Sequence, residues 1–355
     1  MELPARYESL GAPLPGGGMS QALRCRDRNL DREVIVKALK SGINPKRIIE
    51  EARALSQIRS KHVVQIFDVI RDDTNTIVGI VEEYLDGPNF VSAAKNETLE
   101  SVLITLFQIS SGIEQIHHSG VVHRDLKPDN MKYSSSGHIK LFDFGLAKGV
   151  GQGGTTSLYY TPGFTCPEYF QKQNGVHDFS FEGDVFAFGA IAVWYLNSGS
   201  TPQQLKELPP ILPLNSPFSG SPVQLPPVVD NLLTLSLEKD PKSRPTIALV
   251  RSAIESEILR NRHRLLLTTP NQIFEVHALK RQNKISWKEC SVLIRYDGLK
   301  FIVVNVEGTV LVNNRPLVPG FEMQGAAVIV MVGSSGRPSD RISLTADVSH
   351  PEVIV

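Results

Sequence analysis

Cysteine is scarce and scattered. Cys25, Cys166 and Cys290 are the only three in 355 residues, odd in number and without CxxC spacing, which argues against a disulfide framework or a zinc site and fits a reducing compartment. Net charge is absent as well: 37 Lys and Arg stand against 37 Asp and Glu. No overall field favours nucleic acid or an anionic membrane, and a charge-driven partner has to use a local patch. Met1 to Arg6 holds no signal-peptide core, and no stretch approaches the roughly 18 apolar residues of a membrane helix. The expectation is a soluble, cytoplasmic chain with neither a nucleic-acid nor a membrane partner. Internal repeats and low-complexity tracts do not stand out.

Apolar residues make up 41% of the chain, enough at this length for two domains, or for one large two-lobed domain with a small one beside it. The most informative stretch is His123-Arg124-Asp125-Leu126-Lys127-Pro128-Asp129-Asn130, followed by the apolar Ile139 to Phe142 and then Asp143-Phe144-Gly145. These blocks offer two carboxylates, an ammonium and a carboxamide, the parts that phosphoryl transfer needs. Asp125 can orient a substrate hydroxyl and accept its proton, Lys127 can neutralise charge on the moving group, and Asn130 with Asp143 can hold metal ions that bridge phosphate oxygens.

In chain order, Tyr7 to Leu39 reads as short strands around the glycine-rich turn Pro15-Gly16-Gly17-Gly18. Glycine there lets backbone amides approach a phosphate. Such runs are often plain turns, but an apolar strand ending in Lys37 follows and points to a nucleotide clamp. Pro45 to Arg59 has helical spacing, with Glu51 in reach of Lys37. Val63 to Ile70 and Thr76 to Tyr84 read as strands, and Asp86-Gly87-Pro88 as a hinge. Leu99 to His118 reads as an amphipathic helix. Phe181 to Leu196 reads as a buried one carrying Asp184, whose carboxylate needs partners that the backbone of the 123–130 loop can supply. Seven prolines between Pro209 and Pro227 rule out a helix over most of that stretch. Helices are expected at Val228 to Leu237 and Thr246 to His263, a linker at 265–270, and alternating strands beyond it, at Ser291 to Arg295, Leu299 to Val306, Thr309 to Val312 and Ala326 to Val332.

Over roughly Tyr7 to Arg264 the chain resembles the eukaryotic-like serine/threonine protein kinases. The resemblance implies an α+β, bilobal fold, a small β-rich lobe with one helix before a larger helical lobe, and ATP with Mg2+ as cofactors. It pairs Lys37 with Glu51, closes the activation segment at Cys166-Pro167-Glu168, pairs Glu168 with Arg244, and matches Asp184 and Gly189 to the buried helix. Lys127, two residues after Asp125, marks serine/threonine specificity. Arg124 is expected to be held by a phosphorylated activation segment, with Thr155, Thr156, Ser157 and Thr161 as candidates, since phosphate brings charge and acceptors suited to arginine.

The resemblance also assigns a nucleotide pocket to Leu14, Gly16, Gly17, Gly18, Ser20, Ala22, Ile35, Lys37, Glu51, Glu82, Glu83, Leu85, Lys132 and Asp143. Several of these depart from the family's habit. Pro15 and Ser20 stand where loop glycines are usual; Ala22 and Ile35 look like a volume-conserving exchange in the pocket roof. Glu82 stands where an apolar or hydroxyl residue is expected, Lys132 lies on the pocket floor, and bulky Phe142 precedes Asp143. Isolated charges in an apolar cleft are costly, so Glu82 and Lys132 are expected to neutralise each other across the adenine. Otherwise Lys132 lays its stem under the base and Glu82 accepts from the adenine amino group.

Residues 1–264 are thus expected to form the kinase domain, 265–270 the linker and 271–355 a small all-β sandwich. Thr309 to Leu317, with Ser286 upstream, distantly resembles a forkhead-associated phosphopeptide-binding domain, although Trp287 replaces that family's arginine and its early Gly-Arg signature is missing. A protein substrate is implied, and protein partners are conceivable for the β domain and for the 209–227 stretch. The alternative is a pseudokinase scaffold whose β domain does the binding; the full set of charged catalytic residues argues against it. A small-molecule phosphotransferase is disfavoured by the closed activation segment.

Overall fold

A computed structural model describes residues 3–14, 20–39, 52–53, 55–91, 97–143, 148–149, 160–173, 176–177, 180–349 and 351–353. The chain divides into two compact units, residues 1–254 with the terminal 355, and residues 255–354.

The first unit opens with Tyr7–Ser9 (β1), Ser20–Asp27 (β2), Arg32–Leu39 (β3), Ile66–Arg71 (β4) and Ile77–Glu83 (β5), an antiparallel sheet in the order β1-β2-β3-β5-β4. Val34 and Val36 are buried with Cys25, Ile70 and Val81 on one face. The period of two along a strand therefore puts Ile35 and Lys37 on the other face. Residues 52–53 and 55–57 are helical; the rest of the helix expected over 45–59, Glu51 included, lies outside the described residues.

Leu99–His118 (α1) has the bounds expected from its periodicity. Thr98 caps it reciprocally with Ser101, satisfying donors that a helix end leaves open, and Val102, Leu106, Ile109, Ile113 and Ile116 fill one buried face. Val121–Val122 (β6), Met131–Tyr133 (β7), Ile139–Leu141 (β8) and Lys148–Gly149 (β9) follow, β6 pairing with β9 and β7 with β8. Lys172–Gln173 (β10) pairs with Val176–His177 (β11). Phe181–Leu196 (α2) also has its expected bounds, with Ser180 accepting from the Gly183 N–H at its start. Apolar on nearly every side, α2 is the buried axis of the helical half. A Cβ on its Gly189 would come within 3.1 Å of the Leu237 side chain, so glycine lets the two segments pack this closely without either giving way.

Gln203–Lys206 (α3) is short, and residues 209–226 are free of helix, as the prolines require. Asn197 Nδ2 ties this stretch down by donating to the Pro217 carbonyl at 2.9 Å. Pro227–Leu235 (α4) begins on a proline, where the absent N–H has no helical partner to lose. Ile247–Ile258 (α5) is the last helix. This unit has the strand-rich and helix-rich halves expected of it.

Close backbone approaches join the two halves. Leu141 N–H donates to the His62 carbonyl and Val64 N–H to the Leu141 carbonyl, both at 2.9 Å, and a Cβ on hinge residue Gly87 would lie 2.3 Å from the Tyr133 carbonyl oxygen. His62 is 4% exposed, and burial lowers its pKa from 6.5 to about 4, against the opposing hydrogen bond to the Ile139 carbonyl. Because the folded value lies below the unfolded one, the neutral ring's contribution is whole above about pH 6.5 and is lost as pH falls toward 4, at most roughly 3 kcal/mol. Chemical denaturation at pH 7 and pH 4.5 should show this loss, and His62→Gln should flatten it; an unchanged slope in the variant would contradict the assignment.

The second unit is all β after the end of α5. Arg264–Thr268 (β12), Ile273–His277 (β13), Gln282–Trp287 (β14), Cys290–Tyr296 (β15), Phe301–Glu307 (β16), Thr309–Val312 (β17), Arg315–Pro316 (β18), Glu322–Met323 (β19), Ala326–Val332 (β20) and Arg341–Val348 (β21) form two sheets. Their orders are β13-β12-β21-β20-β17-β18 and β14-β15-β16-β19. Leu265, Leu267, Ile329 and Leu344 from the first share one core with Val292, Ile294, Tyr296 and Phe301 from the second, as in two sheets packed face to face. The linker expected at 265–270 is corrected here. Residues 265–268 lie in β12, hydrogen-bonded to β13 and β21, with Leu265 and Leu267 fully buried.

Candidate active site

The loop after β6 is shaped by one carboxylate. Asp184 on α2 accepts the backbone N–H of His123 at 2.8 Å, that of Arg124 at 2.9 Å and His117 Nε2 at 2.9 Å. The loop backbone is the partner expected from sequence; His117, from the last turn of α1, was not foreseen. Burial pushes the Asp184 carboxyl upward, but the hydrogen bond from His117, with the electrostatic influence of His117 and His123 and the Arg124 backbone bond, outweighs it and holds the pKa below the usual range. This clamp also explains how Arg124 keeps a left-handed backbone at φ 71°, a conformation that persists only where surroundings impose it.

With the backbone fixed, the next residues converge on Asp125. Its Oδ2 accepts from Lys127 Nζ at 2.7 Å and Asn130 Nδ2 at 3.0 Å, and its Oδ1 from Thr161 Oγ1 at 3.0 Å. Asn130 Nδ2 also donates to the Asp125 carbonyl at 2.7 Å, which turns its carboxamide oxygen to the opposite side. Lys127 Nζ reaches Thr161 Oγ1 at 3.3 Å, and Thr161 is held in turn by reciprocal bonds with Thr165. Thr161, one of the expected phosphorylation candidates, has its hydroxyl built into the Asp125 cluster. Thr155, Thr156 and Ser157 lie outside the described residues.

Asp143 follows β8 with φ 67° and a side chain 35% exposed, positioned where Phe142 N–H donates to the Asn130 carbonyl at 3.1 Å. One carboxylate and one carboxamide oxygen on adjoining segments are hard oxygen donors of the kind Mg2+ takes alongside phosphate and water. Among the described residues, no cluster of three or more His, Cys, Asp or Glu could hold a metal by itself.

Lys37 lies opposite Ile80 in the β3–β5 ladder, so Glu82, two residues on, is its diagonal neighbour on the same face. Lys37 Nζ is 2.9 Å from Glu82 Oε2 and 3.4 Å from Asp143 Oδ1. Burial pushes the Lys37 ammonium down, yet the two carboxylates more than offset this and hold its pKa above the usual lysine value. The expected pairing of Glu82 with Lys132 is therefore corrected. Lys132 Nζ instead donates to the Leu85 carbonyl at 2.5 Å and sits 5.6 Å from the centre of the Tyr84 ring, because its strand β7 runs under the hinge and not under the end of β5.

Of the remaining pocket residues, Ala22 lies opposite Lys37 and Ile35 opposite Glu82, both on the cleft face. Leu14 N–H donates to the Ala22 carbonyl at 2.8 Å. The Glu83 side chain turns away from these, taken by Lys140 Nζ at 2.7 Å to both oxygens and by the Gln65 N–H at 3.1 Å. Ser20 pairs with Leu39 at the end of the β2–β3 ladder; Gly16, Gly17, Gly18 and Glu51 lie outside the described residues. Arg244 is 6% exposed and grips Glu168 with two bonds, at 2.6 and 2.8 Å, while donating to the carbonyls of Glu182 and Glu238. A buried guanidinium so fully satisfied fixes the end of the activation segment against α2.

Comparison with known proteins agrees with this geometry. The protein kinase domain family model matches residues 8–256. A probable serine/threonine-protein kinase, pknA2, of Bifidobacterium longum is 29% identical over 200 residues, 52% of this chain and 26% of that protein. A serine/threonine-protein kinase of Corynebacterium efficiens is 30% identical over 253 residues, 64% and 46% of the respective chains. PknA of Mycobacterium tuberculosis is 29% identical over 251 residues, 64% and 56%. The chain thus spans between 26% and 56% of the length of these relatives. With more than half of its length matched and the Asp125, Asp143 and Lys37 groups gathered on one cleft, the chain belongs to the protein kinase domain family.

Proposed function

We propose that this chain is a serine/threonine protein kinase that transfers the ATP γ-phosphate to protein hydroxyls with Mg2+. The observation that carries the reading is the Asp125 cluster, in which a carboxylate still 18% exposed is steered by Lys127, Asn130 and Thr161. Asp125 orients the incoming hydroxyl and takes its proton, and Lys127 stabilises charge on the transferring group. Asn130 and Asp143 are the residues that would hold Mg2+, which when bound would neutralise charge on the phosphate oxygens. Lys37 supplies a fixed cation at the phosphates, with Ala22, Ile35 and the hinge residues around Leu85 enclosing the base.

Control by phosphorylation of the activation segment is part of this reading, with Arg124 as receiver and Thr155, Thr156, Ser157 and Thr161 as candidates. The second unit is proposed as a protein-binding module. Its forkhead-associated likeness rests on Thr309 to Leu317; beside that stretch Glu307 accepts from Ser291 Oγ and Lys284 Nζ. One observation favours the scaffold alternative, since Lys132 already occupies the Leu85 carbonyl at the hinge. Thermal unfolding with ATP, with and without Mg2+, separates the two. A kinase should be stabilised by several degrees in the presence of both, through ligand linkage, and Asp143→Ala should abolish the Mg2+-dependent part. No stabilisation by any nucleotide would favour the scaffold.

A further inference from the structure

Among the described residues two carboxylates lie near Lys37, and only one of them has another duty. Asp143 is half-exposed and stands beside Asn130, whereas Glu82 is 6% exposed, under the sheet, with Lys37 Nζ at 2.9 Å. A carboxylate so shielded is tolerated only when paired, and its place on the same sheet face as Lys37 is set by the β3–β5 register. We propose that Glu82 is a positioning residue for Lys37, holding the ammonium from the rigid sheet at the point where it meets the nucleotide phosphates. This rests on the nucleotide-binding reading above and deepens it: the pocket reads phosphate through Glu82 and Lys37 together, and Glu82 does not read the base.

Strands hold side chains more rigidly than loops do. Glu82 and Lys37 lie on adjacent paired strands, so their pairing is set by the sheet register and not by the position of Asp143.

The test is a comparison of ATP and adenosine binding by calorimetry, in wild type and Glu82→Gln, a variant that keeps the shape and loses the charge. Affinity for ATP should fall about tenfold, the scale of one charge-assisted hydrogen bond, while affinity for adenosine stays the same. Equal losses for both ligands would mean that Glu82 reads the base, and a gain for ATP that it competes with phosphate for Lys37; either result, or no change, overturns the proposal. A thermal-stability cycle of Lys37→Met, Glu82→Met and the double variant adds a readout independent of nucleotide. The double variant should recover much of the loss seen in Lys37→Met, which strands Glu82, and purely additive losses would overturn the pairing. If wild type binds neither ligand, the nucleotide-binding reading itself falls, and this proposal with it.

Discussion

Asp125→Asn is expected to lower kcat for phosphorylation of a protein substrate by about a hundredfold to ten-thousandfold, the range attributed to a positioned general base. The substitution preserves the planar shape that Lys127, Asn130 and Thr161 surround, so the fold and the affinity for ATP should change little. The loss should fall on kcat and not on KM for ATP, because the carboxylate acts on the acceptor hydroxyl. Steady-state kinetics with varied ATP separates the two. A variant with wild-type kcat would remove Asp125 from the chemistry, and one with kcat intact but a large rise in KM would place it in nucleotide binding instead.

Asp184→Ala should be the most damaging change to stability. It leaves the N–H groups of His123 and Arg124 and the Nε2 of His117 without their acceptor in a buried site, each costing about 1–3 kcal/mol when left unsatisfied. Against a total stability of roughly 5–15 kcal/mol, a loss of about 3–5 kcal/mol should lower the melting temperature by about 10 °C or more for a unit of this size. Asp184→Asn retains one acceptor oxygen and should fall between. A melting temperature within about 2 °C of wild type for Asp184→Ala would show that the loop does not depend on this clamp.

The parts of the chain that were legible in its sequence are those governed by local rules. α1 and α2 have the bounds expected because capping residues Thr98 and Ser180 precede clear apolar patterns. β17 and β20 likewise follow from short apolar runs between turns. β12 was missed because Arg264–Thr268 comes soon after the last helix and reads as a tail; it is paired both with β13 and with β21, some eighty residues away. The catalytic loop was legible as a motif, and so was its dependence on Asp184. Partnerships of charge were not. Glu82 belongs to Lys37 through a diagonal across two strands, and Lys132 to the Leu85 carbonyl through the path of β7. Neither register is written in spacing along the chain. Nor is the contact of Thr161: its neighbours are glycine and hydroxyl rich, and only the fold brings its hydroxyl to Asp125.

The most direct test of the kinase reading is intact and peptide mass spectrometry of a serine- and threonine-containing protein substrate after incubation with the full chain, ATP and Mg2+, beside Asp125→Asn. The account predicts phosphate on serine or threonine of the substrate with wild type and almost none with the variant. ATP consumed without any phosphate on protein, or equal labelling by both, would contradict it.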